Sequence, residues 1–121
     1  MIRSSIVVID PQVGFCSNFG SLARHHGCEE IEFIQEAVAR LELHLKEFSK
    51  LHLVTSEYSV AQFTAGDSEH PLAQLCVPSA NEDCVLVKQL SRIRFDSRSL
   101  KCQPSAVTSP EFMSVIRKEL D

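Results

Sequence analysis

Two short apolar runs, each closed by a charged residue, constrain the fold of this chain more than any other feature. The first is Ser5-Ile6-Val7-Val8-Ile9, followed by Asp10-Pro11; the second is Cys84-Val85-Leu86-Val87, followed by Lys88. Apolar, β-branched runs without alternation are what a strand buried on both faces requires, and such strands belong to parallel sheets covered by helices. In an open parallel sheet, ligands bind beyond the carboxyl ends of the strands. Asp10 and Lys88 are therefore expected to meet at one sheet edge, within ion-pair reach, and to carry the chemistry.

The rest of the chain alternates strand and helix patterns. Pro11 stops the first ladder and biases Asp10 toward extended backbone. Residues 12–27 contain Gly14, Asn18, Gly20, Gly27 and several serines, and read as a loop long enough to be functional. Ile31, Ile34, Val38, Leu41, Leu45 and Phe48 recur in steps of three and four, which predicts a helix over 29–48 with one buried stripe. Glu29 and Glu30 suit its positive end. Residues 51–55 read as strand two, leading into Ser56-Glu57-Tyr58, and residues 84–87 as strand three; the basic, partly apolar stretch 89–100 fits neither period. Thr108-Ser109-Pro110-Glu111 predicts a helix start, with a capping box between Thr108 and Glu111 and a proline in the first turn. That helix would bury Phe112, Val115, Ile116 and Leu120. The expected fold is α/β, a three-layer α/β/α arrangement around a parallel sheet, as a single domain over residues 1–121. A helix after strand three normally feeds a fourth parallel strand, so the sequence reads as the first two-thirds of such a domain, truncated after the third strand and its helix.

Composition narrows the function classes. A chain of 121 residues with 44% apolar content supports one real core. A net charge of −4 without a Lys/Arg-rich run argues against nucleic acid and anionic membrane as partners. Met1-Ile2-Arg3 passes directly into a strand, and no apolar run approaches spanning length, which points to a cytoplasmic protein. Five cysteines at irregular spacings, without a C-x-x-C, read as reduced, mostly buried thiols. His25 and His26 point apart if extended, His70 lacks a partner, and His44 and His52 are assigned to a helix face and a strand surface. No metal and no cofactor is expected.

In order and spacing, Asp10-Pro11-Gln12-Val13-Gly14-Phe15, Val54-Thr55-Ser56-Glu57-Tyr58 and Val85-Leu86-Val87-Lys88, with Phe95 and Leu100 downstream, resemble the isochorismatase-like cysteine hydrolases, a family that includes nicotinamidases. The first segment is similar to the family's D-x-Q-x-x-F, and the resemblance spans essentially the whole chain. It implies a catalytic Asp, Lys and Cys, of which the first two carry over onto Asp10 and Lys88. In that mechanism the aspartate takes the thiol proton, the lysine holds aspartate and thiolate in register, and the cysteine attacks a carbonyl to form an acyl-enzyme. The family's nucleophile follows a fourth strand in a G-x-x-T-x-x-C-like turn, a context that none of the five cysteines has. Cys16, six positions after Asp10, reads as structural. Where nicotinamidases carry metal-binding histidine, this chain has Glu57-Tyr58-Ser59.

The remaining candidates concern the substrate, a small molecule. Gln12 is a candidate hydrogen-bond donor, Phe15 and Tyr58 are candidate pocket walls, and Glu57 is a candidate for orienting a polar edge. Arg92, Arg94 and Arg98 read as a solvated face. The resemblance implies hydrolysis of a small amide-like metabolite, incomplete in this chain because the nucleophilic segment is absent. The alternatives are a noncatalytic scaffold that keeps the pocket and, less favoured, a haloacid-dehalogenase-like phosphatase, which needs a second acid where Gln12 stands. A shortened sheet would also expose the edge of strand one, so a homo-oligomer or a strand-supplying partner is expected.

Overall fold

The structure, a computed structural model, describes residues 2–120, together with all their side chains except those of Ile2, Arg3 and Glu30. The expected lead-in at Met1 and the Glu30 carboxylate at a helix end lie outside the described residues, as does Asp121. Three strands, β1 (Ile2–Ile9), β2 (Phe48–Ser56) and β3 (Ser97–Lys101), form one parallel sheet in the order β1-β2-β3. Four helices accompany it: α1 (Val13–Cys16), α2 (Ser21–His26), α3 (Cys28–His44) and α4 (Pro110–Leu120). The chain is thus an α/β fold with a parallel sheet. None of its described helices is long and apolar enough to cross a membrane.

Strand alternation divides the sheet between two helices. Ile6 and Val8 of β1 lie beside Leu51 and Leu53 of β2, and these pack against Ile34, Val38 and Leu41 of α3. The same core takes in Leu45, Val87, Leu90 and Phe95. The opposite face presents His52, Val54 and Ser56 of β2 next to Ser97, Ser99 and Lys101 of β3. There α4 lies across the sheet: Ser5 Oγ donates to Glu119 at 2.8 Å, and His52 Nε2 sits 3.0 Å from the same carboxylate while its Nδ1 meets Ser97 Oγ at 2.7 Å. His52 is consequently buried rather than on a strand surface, because α4 covers it.

The expected strand at 84–87 does not join this sheet. Val13 N–H donates to Val85 O (2.8 Å) and Val87 N–H to Pro11 O (2.9 Å), so the segment runs antiparallel beside residues 11–13 as a single bridge, and Lys88 opens a 3₁₀ turn over Lys88–Leu90. Val87 and the following Leu90 are buried in the core with α3 and Leu86 packs against it, while Val85 is left 54% exposed. The third strand is the polar run Ser97-Arg98-Ser99-Leu100-Lys101. An edge strand with one face under a helix tolerates such a sequence.

Residues 12–27, expected as a loop, form α1 and α2. Gly20 makes this compact turn possible, since a Cβ there would lie 2.0 Å from Val13 O and 2.8 Å from Gly14 Cα. Gly27, at φ +96°, then separates α2 from α3. The long helix stops at His44, and Phe48 already belongs to β2. At α4 the cap is Ser109, whose Oγ accepts from Phe112 N–H at 3.2 Å, while the Thr108 hydroxyl donates back to Ser105 O. Phe112 is buried, Val115 and Ile116 are half-buried, and Leu120 is 82% exposed.

Between β2 and β3 the described chain uses turns and the single 3₁₀ turn Lys88–Leu90 rather than a crossover helix. The buried Asp83 carboxylate organises them. It accepts the Ser21 N–H (3.2 Å) and hydroxyl and the Cys76 N–H (3.2 Å), and Arg24 stands 4.0 Å away. Replacing Gly20 with alanine should destabilise the protein by about 1–3 kcal/mol or more, through overpacking against main chain that cannot yield. Urea denaturation measures this, and an unchanged midpoint would show that the turn has room to relax.

Candidate active site

Parallel pairing delivers the carboxyl ends of all three strands to one edge. Asp10 follows β1, Ser56 ends β2, and Lys101 ends β3 in direct register with Ser56. The Lys101 ammonium lies 3.1 Å from Asp10 Oδ2, with its own side chain fully buried and that of Asp10 21% exposed. It also donates to Ser56 Oγ (2.7 Å), Tyr58 OH (3.1 Å) and Gln103 O (3.3 Å). Ser56 Oγ in turn donates to Asp10 Oδ1 at 2.7 Å and lies 3.0 Å from Tyr58 OH. The ion pair expected between Asp10 and Lys88 is therefore made by Lys101. Lys88 is exposed and lines surface pockets with Gln89.

The network is held by unusual backbone. Asp10 has φ 59°, left-handed rather than extended, a conformation that aspartate tolerates better than most residues and that persists where its surroundings over-determine it. Those surroundings are visible: Asp10 N–H donates to Val54 O at 2.9 Å, and the next polar side chain, Gln12, grips the end of β2. The Gln12 amide donates to Ser56 O (2.9 Å) and Cys84 O (3.1 Å), and its carbonyl accepts the Ser56 N–H (2.9 Å). A side chain here replaces a neighbouring strand. With both its protons committed to main chain and 1% exposure, Gln12 positions Ser56 and has no donor left for a ligand.

The other sequence candidates are distributed around this pair. Tyr58 is buried, with its hydroxyl on Lys101 and its ring edge-on to Phe63 at 4.6 Å between centroids. Phe15 is half-buried between the main core and a smaller cluster of Tyr58, Leu75 and Cys76. Glu57 is exposed beside them. Cys16 is buried and donates its thiol to the Asp10 backbone carbonyl at 3.6 Å. Burial, reinforced by the Asp10 charge, pushes that thiol up to about 11, so at neutral pH it is protonated and a poor nucleophile. A groove of about 450 Å³ opens next to Asp10, walled by Ile9, Pro11, Phe33, Ile34 and Ala37. It joins Asp10 and the Cys16 thiol to an apolar body, the composition of a small-molecule site. Among the described residues, no three or more His, Cys, Asp and Glu side chains converge as metal ligands do.

Ser56 and Lys101 are polar residues at strand ends and carry no apolar-run pattern. The signal that marks them is the two-residue spacing of Ser97, Ser99 and Lys101, which places a lysine at a strand end on the same face as two small hydroxyls.

Removing one partner of a buried ion pair costs about 3–5 kcal/mol, whereas an exposed lysine contributes within about 0.5 kcal/mol. Lys101→Ala should therefore strongly lower the urea midpoint and Lys88→Ala should leave it in place. Equal losses in the two variants would contradict the assignment of the pair. Comparison with protein-family models, curated proteins and solved structures returns no match, so the function of this site is read from its geometry.

Proposed function

We propose that the chain is an isochorismatase-like hydrolase unit acting on a small amide-like metabolite, with Asp10 as the proton acceptor and Lys101 as the cation that holds it. The observation that carries this reading is the 3.1 Å contact between Lys101 Nζ and Asp10 Oδ2 at the carboxyl edge of a parallel sheet, beside an apolar groove. A nucleophile entering from the groove would give its proton to the open side of the Asp10 carboxylate. Lys101 cannot donate to substrate, because its three protons already face four acceptors: Asp10, Ser56, Tyr58 and Gln103. Its part is to fix the direction of the carboxylate. The protonated Cys16 thiol, turned to a carbonyl, does not serve as nucleophile. In this reading the attacking thiol comes from outside the described residues.

A second reading, a noncatalytic scaffold that keeps the pocket, draws on the same lysine. A cation with zero exposure and no spare proton also suits a purely structural pair.

Two measurements on the purified chain separate the readings. Ammonia release from small primary amides should not exceed background. Amide titration followed by NMR should show saturable shifts around Asp10 and Pro11, weakened about tenfold or more in Asp10→Ala, the worth of one charge-assisted hydrogen bond. Absence of saturable binding would overturn the hydrolase reading and leave the ion pair a purely structural one. Turnover that vanishes in Cys16→Ala would make that residue the nucleophile after all.

A further inference from the structure

Outside the Asp10 site, the small apolar cluster brings two nucleophilic side chains together. Cys76 is fully buried, and Cys84, partly exposed, packs against it beside Tyr58 and Leu75. The two cysteines share this cluster, Cys84 lying against Cys76 from its rim. Cys76 Sγ also lies 3.7 Å from the carbonyl of Asp83, the residue bonded to Cys84. Cys76 holds φ 49°, pinned by Asp83, which accepts its N–H at 3.2 Å, and by Tyr58, whose N–H donates to its carbonyl at 2.8 Å. Such a pinned main chain holds Cys76 beside the segment that carries Cys84. The remaining cysteines have no such neighbour: Cys16 belongs to the other core, and Cys28 and Cys102 are exposed.

We propose that Cys76 and Cys84 form a reversible intrachain disulfide, a redox modification site in the segment between β2 and β3, with low-molecular-weight disulfides as the oxidant. Cys84, the sulfur that solvent reaches, attacks the oxidant's S–S bond and releases one thiol, giving a mixed disulfide. Cys76 then attacks the Cys84 sulfur and expels the second thiol. Both protein S–H protons are lost, two electrons pass to the oxidant, and one disulfide is exchanged for two small thiols. Burial raises both protein thiols and slows both attacks, while the packing of Cys84 against Cys76 makes the second one intramolecular. The bond would close the turn that carries Asp83 and hold Cys76 against Tyr58, the residue that touches Lys101.

The test is peptide mapping of the folded chain after incubation with oxidised glutathione and trapping with iodoacetamide. Residues 51–88 contain no Lys or Arg before Lys88, so both cysteines fall on one tryptic peptide. That peptide should lose two hydrogens and resist alkylation until dithiothreitol is added. Cys76→Ser should instead retain glutathione on Cys84, and Cys84→Ser should leave Cys76 unmodified. Free alkylation of both thiols, or stable glutathione on Cys84 in the unsubstituted chain, would overturn the proposal. So would a folded chain giving the same mixture of pairings as the chain in urea, a comparison that holds even where a variant does not fold.

Discussion

A lysine ammonium taken wholly out of water must be paired, and the way Lys101 is paired sets the geometry of the whole carboxyl edge. Its neighbours come from every strand end: Asp10 after β1, Ser56 at the end of β2 with Tyr58 two residues on, and Gln103 two residues past β3. An isolated buried charge costs far more than any of these contacts returns singly, so the three strand ends are coupled through one group. The left-handed turn at Asp10 follows from that demand, since the carboxylate must swing toward β3 while its N–H still closes the ladder on Val54. Gln12 completes the arrangement by capping the main chain of Ser56.

Asp83 plays the matching part away from the sheet. The segment from β2 to β3 has no helix to satisfy its backbone, and one buried carboxylate gathers N–H groups from α2 and from the turn at Cys76. The close approach of Gly14 to this carboxylate, where a Cβ would fall 2.8 Å from the Asp83 Cβ, shows how tightly α1 is drawn in. Two aspartates thus organise the polar interior, one at the strand ends and one in the connection. They meet at Tyr58, which touches Lys101 through its hydroxyl and Cys76 through its ring and main chain. A change in the connection can therefore reach the ion pair through a single aromatic residue.

What the sequence by itself determined is whatever depends on local pattern. The run at Ile6–Ile9 marks a buried strand, the 3.6-residue stripe from Ile31 to Leu41 marks α3, Pro110 marks the start of α4, and Asp10 stands at a strand end because a proline follows it. Tertiary structure decided the rest. The 84–87 run is as apolar as a strand, yet core space beneath α3 and a bridge to residues 11–13 claimed it, while the polar 97–101 run took the sheet edge. With that exchange the cation paired with Asp10 became Lys101 in place of Lys88. Pairing partners are chosen by which faces remain uncovered once the helices have packed, a property of the assembled layers that a single segment does not carry.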